Sequence, residues 1–284
     1  MPRSLLGTYL RFLRSPSLTD EPEQVSGGEA LKATLRLYAL HLLTVIVLGG
    51  FITQISGIED SHQLTQIIEN MSPIELFATV AIIGPLLEEC IFRLPLRPFA
   101  VNIALALSLV VLLGLQLFLP APSTLLVIGT ALVALNLYLW ARRSRSTVLN
   151  SLYTKYPRII FYVIVLSFSI LHITNFDPAV WALVPLLVLP QLVIALWLGF
   201  VRLRYGFGWA FFAHAFHNGA LVLPVLFTKL LSSSTILNVD EVDLRSLSLP
   251  DTILLAGIGL YNIGGLVLAA VVAWVLINEW KRAQ

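Results

Sequence analysis

The chain has 284 residues, 57% of them hydrophobic and only 12% charged, with a mean hydropathy of +0.86 and a net charge of +2. A soluble domain carries about 25% charged residues, so this composition excludes both an ordinary globular protein and a disordered one. The one cysteine, Cys90, excludes an internal disulfide. An integral membrane protein remains, and nothing in the composition points to nucleic acid.

Residues 1–34 read as an arm outside the bilayer, with Arg3, Arg11 and Arg14 among several acids. A membrane span needs about 20 mostly apolar residues. Eight stretches qualify in chain order: 35–52, 74–92, 99–119, 124–140, 159–174, 179–201, 208–228 and 252–278. Against lipid they must be helices, because unpaired backbone groups are costly there. Pro73, Pro98, Pro120, Pro122, Pro157, Pro178 and Pro250 sit at or near span ends. Pro185, Pro190 and Pro224 fall inside spans and are expected to kink them.

Charge then sets the orientation. All 18 basic residues but Lys229 and Arg245 fall on one side of the alternating spans. Glu59, Asp60, Glu69, Asp177, Asp240, Glu241 and Asp243 fall on the other. The excess of Lys and Arg on cytoplasmic loops places both termini in the cytoplasm. The expectation is an all-α polytopic protein of about eight transmembrane helices, with residues 35–284 forming one membrane domain in the cell (plasma or inner) membrane.

Few strong polar groups interrupt the spans. Glu88 and Glu89 stand side by side in the second, where a charged side chain costs about 2.5–3.5 kcal/mol on insertion scales. Glu89 and Arg93 are four apart, acid first, the better order for a helical ion pair. Glu88 is rotated about 100° from Glu89 and is free to face another helix. His214 and Asn218 are also four apart, and so are Phe168 and His172. His172 lies towards the far end of its span, so it meets the others only if that helix tilts, starts later or breaks. His217 reads as a packing or supporting residue; His41 and His62 carry no signal. Trp140, Trp181, Trp209 and Trp280 suit interfacial anchors.

A carboxylate with histidines in a shielded cavity suits water activation, with the acid as general base. Histidine and carboxylate also suit a metal, zinc above all. A second His and an Asn can stabilise an oxyanion. These are parts for hydrolysing an amide bond.

Three segments in order, Glu88-Glu89-Cys90-Ile91-Phe92-Arg93, Phe168-Ser169-Ile170-Leu171-His172 and His214-Ala215-Phe216-His217-Asn218, resemble the signature of the CAAX prenyl protease and bacteriocin-processing (CPBP, or Abi) family of intramembrane proteases. The resemblance covers about residues 74–221. It implies that Glu88 activates water with help from His172, that His214 and Asn218 form the oxyanion site, and that Glu89 and Arg93 hold the first motif helix in shape. It implies a peptide or membrane-protein substrate. It leaves open a metalloprotease, with Glu88, His172 and His214 on zinc or another divalent metal, and a metal-free glutamate mechanism. The interval from Arg93 to Phe168 departs from the family pattern by an extra hairpin, 99–140, expected to bear on substrate access. Rival readings are a non-catalytic immunity or scaffold protein of the same fold and an ion-coupled transporter, the latter expected to carry inverted repeats.

Overall fold

A computed structural model describes residues 4–56, 70–118, 122–142, 146–231 and 249–284. Twelve α-helices carry the described chain, and no strand occurs among these residues. They are α1 (Leu5–Arg14), α2 (Gly27–Ser56), α3 (Pro73–Leu76), α4 (Gly84–Phe92), α5 (Ala100–Phe118) and α6 (Pro122–Arg142). Then come α7 (Thr147–Lys155), α8 (Pro157–Leu171), α9 (Val184–Leu187), α10 (Leu189–Tyr205), α11 (Phe207–Leu231) and α12 (Leu249–Arg282). His62, Arg245 and the acidic loop residues other than Asp177 lie outside the described residues.

Four stretches are long and apolar enough to cross a membrane: Gly27–Ile52, Pro157–Asn175, Phe207–Lys229 and Leu255–Arg282. Their outward faces are apolar, as Ile159, Leu260, Ile263, Leu268 and Trp274 illustrate. A helix apolar all round belongs in lipid or in a large core. The chain is an all-α membrane protein. Ala100–Gln116 and Val127–Trp140 are shorter apolar helices, and α5 and α6 pack as a hairpin joined by a hydrogen bond from Asn136 Nδ2 to Ser108 Oγ (3.0 Å).

The two remaining expected spans are not single helices. Residues 74–92 divide into α3, a π-helical segment Phe77–Ile83, and α4. Gly84-Pro85 explains the division: Pro85 has no N–H, and the Gly84 N–H bonds to Thr79 O, five residues back. Residues 179–201 begin as a 3-10 stretch, Pro178–Leu183, and continue through α9 into α10. Pro185 and Pro190 therefore break this segment rather than kink it. Pro224 is instead carried inside α11.

Helix α10 is the centre of the bundle, packed on α2, α8 and α11. Its Trp197, Phe200 and Val201 join Leu37 of α2, Ala210 and Ala213 of α11, and Leu6 and Tyr9 of α1 in one core. Its Ala195 and Leu203 meet Phe161, Val165 and Phe168 of α8 in a second. Gly199 allows the close approach of α8, since a Cβ there would lie 2.8 Å from the Phe161 ring. Gly206 (φ +105°) turns α10 into α11.

Buried arginines tie this end of α10 to the end of α4. Arg202 Nε donates to Arg93 O (2.9 Å), and Arg97 Nη2 donates to Leu203 O (2.6 Å). Arg97 Nη1 also donates to Asp20 O of the arm. Arg93 O also accepts the Leu96 N–H (3.3 Å), so Arg202 adds a second bond at the end of α4.

Candidate active site

The three motif segments converge on one cavity. Its volume is about 430 Å³, and Glu88, His172, His214 and Asn218 all line it. Helix α4 brings Glu88 and Glu89, the 3-10 turn that follows α8 brings His172, and the middle of α11 brings His214, His217 and Asn218.

The paired acids take different environments. Glu89 is fully buried, with Oε1 3.4 Å from Arg93 Nε and 2.9 Å from His214 Nδ1. Glu88 keeps 31% of its side chain accessible, and its Oε2 lies 3.6 Å from His214 Nε2 and 3.8 Å from His172 Nε2. Those two separations exceed a hydrogen bond. They leave Glu88 Oε2 facing both imidazoles without bonding either.

Both imidazoles are oriented from behind. His172 Nδ1 is 2.8 Å from Phe168 O, a carbonyl that can only accept, so this nitrogen carries the proton. The His214 Nδ1 proton likewise goes to the Glu89 carboxylate. With Nδ1 engaged from behind, each ring turns its Nε2 toward Glu88. Helix α8 begins at Pro157 and runs unbroken, so neither a later start nor a break brings His172 to the site. Helix α8 ends at Leu171 and tightens into a 3-10 turn, His172–Asn175, which presents the ring at the helix end.

Phe168 is the hinge of the packing. Its buried ring lies 4.5 Å from the His172 ring and 5.9 Å from that of His214, centroid to centroid. The Arg93 guanidinium sits 4.2 Å above the same ring. Arg93 is therefore held by a carboxylate and an aromatic face together.

Asn218 is partly committed. Its Nδ2 donates to Val80 O at 3.0 Å. Val80 O lacks its helical partners, because the Gly84 N–H bonds elsewhere and Pro85 has none. One amide N–H of Asn218 remains for another acceptor.

Sequence reasoning passed over three polar wall residues: Thr79, Asn175 and Gln191. Gln191 is the one carboxamide in the stretch 179–201, and that isolation is a legible signal. Asn175 is three residues after His172; in a 3-10 turn such residues eclipse, so it shares the histidine's face. His217 lines the same cavity while its ring packs edge-on to Tyr38.

The zinc expectation falls on the same three side chains. Tetrahedral zinc with arms of about 2.1 Å sets its N and O ligands roughly 3.4 Å apart. The Glu88–histidine separations of 3.6 and 3.8 Å lie close to that value, although no group of three or more His, Cys, Asp and Glu among the described residues is gathered to hold a metal. Glu88, His172 and His214 are the residues that would hold one, and it would supply an activated water.

Compared with protein-family models, curated proteins and solved structures, the chain finds no match.

Proposed function

We propose that the protein is an intramembrane endopeptidase of the CPBP type, hydrolysing a peptide bond in a peptide or membrane-protein segment. The observation that carries this reading is the convergence of Glu88 Oε2 with two oriented Nε2 atoms in a cavity of an apolar bundle. Glu88 takes a proton from water, and the hydroxide oxygen attacks the scissile carbonyl. His172 orients the same water through Nε2. The free N–H of Asn218 donates to the developing oxyanion. With its Nδ1 proton committed to Glu89, His214 joins as an oxyanion donor only with a second proton, on Nε2. The proton held by Glu88 leaves with the departing amine.

The reading includes the finer topology: eight crossings, the broken segments 74–92 and 179–201 among them, with both termini cytoplasmic and cleavage near that face. Arg93, Arg97 and Arg202, gathered at one end of α4 and α10, support the orientation.

The test is cleavage of a fluorogenic peptide library by purified protein in lipid nanodiscs. Wild type is expected to cleave, with Glu88→Ala and His172→Ala each reducing turnover at least a hundredfold. Turnover unchanged in both variants would sink the assignment. A wild-type protein that binds peptides without cutting them would favour the scaffold reading.

A further inference from the structure

A second cavity, of about 660 Å³, lies between α2, α11 and α12. Its body is apolar: Leu42, Ile46, Leu266 and Val272 form walls, with Ala39 and Ala269 at its base. Lys32 and Arg36, one helical turn apart on α2, stand at one end. The α2 lining extends from Lys32 to Ile46, about 21 Å along the axis at 1.5 Å per residue. Half the hydrocarbon core of a bilayer is about 15 Å. The groove therefore reaches from a headgroup depth beyond the midplane.

We propose that this groove is the binding site of one anionic phospholipid, with an acyl chain along α2 and the phosphate at Lys32 and Arg36. Charge complementarity favours this occupant. Arg36 Nη2 pairs with Glu279 Oε2 (2.6 Å), and Glu29 is occupied with Ser26 at the helix start. That leaves Lys32 as the cation at the mouth whose charge a phosphate would meet. Lys32 is exposed there, and no carboxylate among the described residues pairs with it. A groove about 21 Å long suits one extended acyl chain. The site is independent of the peptidase reading, although Leu221 borders both cavities, so the lipid lies behind the helix that carries His214.

Native mass spectrometry of protein released from mixed phosphatidylglycerol and phosphatidylcholine membranes reads the binding directly. Wild type is expected to retain one phosphatidylglycerol, at least tenfold over phosphatidylcholine. Lys32→Gln should cut that preference at least threefold. Gly265→Leu should abolish retention, because a side chain there enters the groove and its Cβ meets nothing within 4 Å. Its thermal midpoint should match wild type. Equal retention of both lipids, phosphatidylglycerol retention unchanged in folded Gly265→Leu, or a peptide found in the groove would each overturn the proposal. Should Gly265→Leu fail to fold, an unchanged preference in Lys32→Gln alone would do the same.

Discussion

Glu89 on α4 and His214 on α11 are joined by a 2.9 Å hydrogen bond between buried atoms, so the acid that neutralises Arg93 also fixes a histidine of another helix. The two motifs are thereby one electrostatic unit. A buried carboxylate shared by a cation and an N–H donor is costly to remove, because both partners lose it together.

Glu89→Gln tests this directly. It keeps the volume but leaves the Arg93 guanidinium, 1% exposed, without a counter-charge. The expected loss is about 3–5 kcal/mol of stability, the scale for breaking a buried pair from one side. Equilibrium unfolding in mixed micelles measures it. Glu89→Gln with Arg93→Met should recover much of the loss, whereas additive effects would remove the shared-partner account.

Glu88 should behave in the opposite way. It is partly accessible and touches both histidines at 3.6 and 3.8 Å rather than in a hydrogen bond. Its Oε2 is buried with no hydrogen-bond partner, so Glu88→Gln removes an unpaired charge and is expected to leave stability unchanged or raise it. The same change should reduce peptide turnover about 10²–10⁴-fold, the range for a general base. Adding His172→Ala should cost little more, since residues acting as one unit are not additive. A full multiplicative loss in the double variant would assign the two residues to separate steps.

Helical spacing made the ion pair of Glu89 and Arg93 legible, together with the shared faces of Phe168–His172 and His214–Asn218. These are intervals of four residues, fixed by backbone geometry. What the sequence hid was tertiary. The bond from His214 to Glu89 joins residues 125 apart, and no periodicity reports it. The unbroken span expected over 74–92 overlooked Gly84-Pro85, a breaker dipeptide that hydropathy averages away. That same break frees Val80 O for Asn218, so the residue assigned an oxyanion role also has a structural one. Trp197 shows the reverse: absent from any motif, it is fully buried at the centre of the bundle.

Gly206 predicts a backbone effect without any contact. At φ +105° and ψ 176° it occupies a region open essentially to glycine, although a Cβ there would meet no atom within 4 Å. Gly206→Ala is expected to lower stability by about 1–3 kcal/mol from strain alone. Since the turn sets the start of α11, turnover should fall through misplacement of His214 in the folded fraction. A thermal midpoint equal to wild type would show that the turn relaxes into an ordinary conformation.

Pro224 and Tyr261 form a compensated defect on the same helix. Pro224 has no N–H for Ala220 O, four residues before it, and the Tyr261 hydroxyl of α12 donates to that carbonyl at 3.1 Å. In an apolar groove few other donors compete, so the bond is worth about 1 kcal/mol. Tyr261→Phe should therefore lower stability by roughly that amount. Pro224→Ala supplies an N–H to Ala220 O and makes the hydroxyl redundant. Tyr261→Phe in that background should cost less than half as much, a coupling on the order of 0.5 kcal/mol in a double-mutant cycle. Equal costs in both backgrounds would mean that α11 leaves Ala220 O to some other donor, and that Tyr261 holds α12 by ring packing alone.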